Sequence, residues 1–146
     1  MQLSLANRTD NLLIYYIEDG VAMAIRPRIL FVGDDITLLQ TRELIFGDRF
    51  EVLISARLSE AFNLALKQPF KLIVVFSETE SWREFAEFIA RESPKTIILA
   101  ITRNGESKPG WADEVVPSTK GSLELLRVCA QRFGITMRSK SHKLLE

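Results

Sequence analysis

The chain has 146 residues, 47% of them hydrophobic and 26% charged, which fits one soluble globular domain and leaves too little for a second. Nineteen basic side chains balance nineteen acidic ones, so the net positive field by which proteins hold nucleic-acid phosphates is missing. Cys129 is the one cysteine, which excludes an internal disulfide, and no Cys/His spacing suits zinc. A reducing cytoplasm is the simplest setting.

Residues 1–26 precede the main pattern. Leu12 to Ile17 and Val21 to Ile25 are apolar runs joined by Glu18-Asp19-Gly20, and Asp-Gly between such runs favours a hairpin turn. The alternative is a disordered leader, or one outside the natural start, since Met23-Ala24-Ile25-Arg26-Pro27 reads as an ordinary beginning. The Leu12 to Ile17 run ends at Glu18, far short of the roughly 20 residues a membrane-spanning helix needs. A secretory signal, with its basic start and small-residue cleavage site, is not recognisable either. No membrane partner is expected.

Short apolar runs then alternate with amphipathic segments. Arg28 to Val32 is the first predicted core strand and ends at Gly33-Asp34-Asp35. Leu38, Leu39, Arg42 and Ile45 follow at helical spacing until Gly47, with Asp34 or Asp35 as the helix cap. Phe50 to Ile54 alternates like a more exposed strand. Leu58, Ala61, Phe62, Ala65 and Leu66 form the next helical stripe, with Ser59 as its cap and Pro69 as its terminator. Leu72 to Phe76 is continuously apolar, as in a strand covered by helices on both faces. Trp82, Phe85, Ala86 and Ile89 make a third helix, which ends at Ser93-Pro94 and takes Trp82 into its core face.

Ile97 to Ile101 is a fourth strand, and Glu114-Val115-Val116 a short fifth. The crossover between them is abnormal. A parallel crossover usually carries a helix, but Asn104-Gly105 and Pro109-Gly110 are turn signals that leave no room for one. The fourth helix is therefore expected to be missing or cut to one turn, with Trp111 plugging the gap or offering a contact point. A last helix starts near Ser118 to Ser122 and carries Leu123, Leu126, Ala130 and Phe133 on one face. Residues 135–146 form a basic tail with Arg138, Lys140, His142 and Lys143, read as a solvated end or, alternatively, a weak contact for anions. Strand and helix alternation over residues 27–134 predicts a doubly wound, five-stranded parallel α/β sheet of flavodoxin-like order 2-1-3-4-5.

Four segments, in order and spacing, resemble the receiver domain of two-component response regulators. They are Arg28-Ile-Leu-Phe-Val-Gly-Asp-Asp-Ile-Thr-Leu-Leu39, Lys71-Leu-Ile-Val-Val-Phe76, Ile97-Ile-Leu-Ala-Ile-Thr102 and Ala112-Asp-Glu-Val-Val-Pro-Ser-Thr119. In that family two acidic groups hold Mg²⁺, an aspartate attacks a phosphoryl donor, a lysine neutralises charge and a Ser or Thr senses the product. Carried over position by position, the resemblance implies a degenerate phosphorylation pocket of Gly33, Asp34, Asp35, Phe76, Thr102 and Ser118. Gly33 replaces the first acid, Phe76 the phosphoacceptor and Ser118 the lysine, while Asp34 and Thr102 keep the family's residue types. Phenylalanine has no nucleophile. Asp34 and Asp35 are weak candidates for a cation, with helix capping the preferred reading. Thr102 reads first as a strand-end hydroxyl bonded to backbone.

The resemblance thus implies a stand-alone pseudo-receiver: not an enzyme, without a required cofactor, phosphorylation or Mg²⁺, and acting by protein contact in the cytoplasm. Its partner would be a histidine kinase or an output protein, or a second copy in a homodimer. The alternative is a small-ligand-binding or enzymatic flavodoxin-like domain that uses the crevice at the carboxyl ends of the strands. No Gly-x-Gly-x-x-Gly follows the first strand, which argues against a dinucleotide or flavin. A DNA-associated regulator using the basic tail is disfavoured by the balanced charge.

Overall fold

In the computed structural model the described residues are 3–8, 13–17, 22–103 and 107–134. Two compact units share the chain: Arg28–Ser122 forms one, and Met1–Pro27 with Leu123–Glu146 the other. The division falls within the last helix.

In the smaller unit, β1 (Leu3–Arg8), β2 (Leu13–Ile17) and β3 (Ala22–Ile25) make an antiparallel sheet in chain order. Leu13 pairs with Ile25 and Tyr16 with Ala22. These are the two runs that the Asp19-Gly20 signal joins; the turn itself lies outside the described residues. The additional strand β1 escaped the sequence reading because Leu3-Ser4-Leu5 alternates too briefly to register as a pattern. The basic tail also lies outside the described residues.

The larger unit contains β4 (Arg28–Val32), α1 (Ile36–Phe46), β5 (Glu51–Ser55), α2 (Leu58–Lys67), β6 (Leu72–Val75), α3 (Glu80–Glu92), β7 (Ile97–Thr102) and β8 (Glu114–Pro117). Every strand pair is parallel and the order is β5-β4-β6-β7-β8, which is 2-1-3-4-5 when these five are counted alone. Burial follows the hydrophobic pattern in the strands, whereas Ile45 and Leu66 of the predicted helical stripes are exposed. Ile29 to Val32 are fully buried and β6 is buried along its whole length, as apolar runs demand. Edge strand β5 shows an exposed Glu51 and half-buried Val52, Leu53 and Ile54. Leu30, Val32, Ile73, Val75, Trp82, Phe85 and Ile89 form one core cluster, with Phe85 edge-on to both Phe62 and Trp82.

Helix boundaries follow local chemistry with one correction. Asp35 caps α1, its carboxylate accepting from the Leu38 N–H at 3.2 Å. Ser59 does not cap α2. It lies inside the helix, and Arg57 occupies the cap position without a side-chain bond. The serine that organises this entry is Ser55, whose hydroxyl contacts the Glu60 carboxylate and the Arg57 carbonyl, both at 2.9 Å.

Residues 103 and 107–113, the described part of the crossover between β7 and β8, contain no helix. Asp113 anchors this segment: its N–H donates to the Ile98 carbonyl and its carboxylate accepts from the Ile98 N–H, both at 2.8 Å. A short 3-10 turn, Ser118–Lys120, leads into α4 (Gly121–Arg132). Gly121 enters at φ 79°, a conformation that suits glycine. Leu126, Ala130 and Phe133 are buried as predicted, but Leu123 is 75% exposed because the buried stripe begins only at Leu125. Among the described residues no helix is long and apolar enough to cross a membrane.

Candidate functional site

The parallel register aligns the carboxyl ends of the strands. Val32 pairs with Val75, and Val75 with Ala100, so Gly33, Phe76 and the end of β7 come together at one rim of the sheet. The Phe76 N–H donates to the Val32 carbonyl at 2.8 Å, extending the β4–β6 ladder by one residue. The half-buried Phe76 ring stands edge-on to Phe31, centroids 5.2 Å apart. Such an arrangement holds an aromatic ring by its quadrupole as well as its area.

Gly33 is buried against this segment. A Cβ added to it would lie 3.1 Å from the Phe76 Cβ, tighter than a comfortable packing distance. An acidic side chain at position 33 would require the end of β6 to shift.

Asp34 is engaged on both carboxylate oxygens. Oδ1 accepts from the Trp82 indole N–H at 2.8 Å, and Oδ2 accepts from the Ser77 hydroxyl. Ser77 Oγ in turn accepts from the Thr79 N–H at 3.2 Å, immediately before α3. The turn after β4 is thus tied to the loop after β6 and to the first turn of α3. Trp82 is buried at 2% exposure, consistent with its predicted core role, but the sequence reading missed its bond to Asp34. A buried indole N–H needs an acceptor, and that requirement was the available signal.

The donors suit Mg²⁺ poorly. Gly33 has no ligating side chain, Asp34 already accepts two hydrogen bonds, and Asp35 is spent on the α1 cap. Among the described residues no group of three His, Cys, Asp or Glu side chains could hold a metal.

Of the remaining predicted positions, Thr102 lines one cleft with Ser77 of this knot. Thr102 is 4% exposed, and its Oγ1 has no hydrogen-bond partner, contrary to the expectation of a backbone bond. Ser118 is exposed in the 3-10 turn, one residue beyond Pro117, the register partner of Thr102. Lys120 is exposed at the end of the same turn. Trp111 is half-buried and packs on the core cluster, the plug arrangement, yet its Nε1 also lacks a partner.

No protein-family model and no curated protein matches the sequence. Solved structures do match. The receiver domain of HemR from Leptospira biflexa, in its non-phosphorylated form, superposes with a TM-score of 0.63 at 26% identity, over 77% of this chain and 98% of that one. The chain has the receiver fold. The signal receiver domain of an HD-domain protein from Pseudomonas fluorescens matches at TM-score 0.64 and 16% identity, covering 75% of this chain and 88% of that chain. An orphan response regulator of H. pylori, HP1043, matches at 0.62 and 17%, covering 75% and 99%. Against the receiver pattern, this chain's five parallel strands are retained and the helix between the fourth and fifth is replaced by the segment around Trp111.

Proposed function

We propose that this receiver-fold domain takes part in two-component signalling without being phosphorylated at the usual position, and that it works through protein contact. The carrying observation is Phe76, an aromatic ring at the end of β6 where receivers place the attacking aspartate, packed on Phe31. A ring there offers no nucleophile. The Asp34–Ser77–Trp82 knot supports the same reading, because it commits the remaining acid to structural bonds. With Ser118 at the lysine position, charge that builds up during phosphoryl transfer would go uncompensated.

The domain is then a binding element held in one conformation rather than a switch with two. Its partner is a histidine kinase, an output protein or a second copy of this chain, met in the cytoplasm, and it needs neither catalytic residues nor a cofactor. A thermal melt tests this directly. The melting temperature should stay unchanged when Mg²⁺ and beryllium fluoride, an acyl-phosphate mimic, are added together. A saturable rise that requires both would overturn the proposal, since only a competent aspartate–metal pocket stabilises that mimic.

A further inference from the structure

We infer that the cleft between the ends of β6 and β7 and the helix-free crossover is a binding site for a small planar molecule carrying a hydrogen-bond-accepting oxygen. Its volume is about 430 Å³, and Ala100, Ile101, Pro109 and Trp111 supply apolar wall. A ligand pocket of about 300–1,000 Å³, mostly apolar with a few polar groups, is the usual architecture for such molecules. Phe76 does not line it. Binding there is independent of whether phosphoryl transfer is blocked.

Two polar atoms decide the ligand class. Thr102 Oγ1 and Trp111 Nε1 belong to residues of this one cleft, are screened from water, and have no partner. Valine would fill the Thr102 space, and phenylalanine most of the Trp111 space, without an orphaned group, and a buried orphan is a net cost to the fold. A carbonyl or carboxylate oxygen is the acceptor that each of these two donors lacks. Both atoms lie beneath the cleft surface, so engaging them requires the adjoining side chains to give way.

The rim sets the charge. Arg83 lines the cleft, and its 3.8 Å pair with Glu80 is loose and exposed, so it can face an acceptor oxygen. Glu78 lines the same cleft and opposes a multiply charged anion such as phosphate. The ligand is therefore a neutral carbonyl compound or a monocarboxylate, with a flat body that lies along Trp111.

The chain has two tryptophans, so an amide spectrum of the ¹⁵N-labelled full chain shows two indole signals. Trp82, already bonded to Asp34, serves as the internal reference. Titration with benzamide, benzoate or toluene in the millimolar range should move the Trp111 signal saturably with one or both of the first two, leaving Trp82 in place. A response to benzamide alone marks a neutral ligand, and a response to benzoate marks a carboxylate. Thr102→Val should weaken binding about tenfold, the worth of a good hydrogen bond, without lowering the melting temperature, while Thr102→Ser should keep binding. The inference is overturned if toluene moves Trp111 as strongly as benzamide, if neither oxygen-bearing probe moves it, if both indoles shift together, or if Thr102→Val binds like the wild type.

Discussion

Asp34 ties the turn after β4 to the start of α3. Its carboxylate holds Trp82 on one oxygen and Ser77 on the other, a strut between the two segments. Hydrogen bonds to a charged acceptor contribute about 1.5–3 kcal/mol, and the exposed setting of Asp34 reduces that. Asp34→Ala is expected to destabilise the protein by about 1–2 kcal/mol in urea unfolding, through the orphaned, buried Trp82 indole. Asp34→Asn, which keeps an acceptor for the indole, should cost clearly less. Equal stability of the alanine variant and the wild type would remove the strut. The sequence could not show this contact, because 48 positions separate the partners and exposed acids after a strand usually cap the next helix. Asp35 does follow that common rule, which is why it was legible and Asp34 was not.

The strands with continuous apolar runs are legible in the sequence, while in the helices Ile45 and Leu66 fit the spacing and yet are exposed. β4, β6 and β7 are uninterrupted apolar runs, and their burial follows. Ser59 was read as a cap from its residue type, but capping depends on backbone conformation, and extended backbone occurs at Arg57. Leu123 fitted the helical stripe, yet it lies in the first turn of α4 before the buried face begins. The crossover was legible because Asn104-Gly105 and Pro109-Gly110 forbid a helix; its anchor was not. Asp113 replaces that helix's packing with a two-bond clasp on Ile98. Asp113→Ala should speed hydrogen exchange at the Ile98 amide, about tenfold or more for the loss of one good bond, and leave exchange on β4 unchanged. Equal protection at Ile98 in the variant would show that the clasp does not hold the segment.

For the whole molecule, alternation implies a doubly wound parallel sheet, and the order 2-1-3-4-5 follows from the usual arrangement of five such units. The proposal of a degenerate pocket rests on the resemblance to receivers, since Phe76 by itself is an unremarkable apolar residue at a strand end. What distinguishes it is position: it closes β6 beside Gly33, where any Cβ would press on it at 3.1 Å. On the proposed reading, restoring the chemistry takes more than Phe76→Asp, because Gly33 and Ser118 would still withhold a metal ligand and a cation. The most direct measurement is intact-protein mass after incubation with acetyl phosphate and Mg²⁺, run on the wild type and on Phe76→Asp side by side. Both should keep their unmodified mass. A Mg²⁺-dependent phosphoryl adduct on the wild type, released by hydroxylamine as acyl phosphates are, would contradict the account.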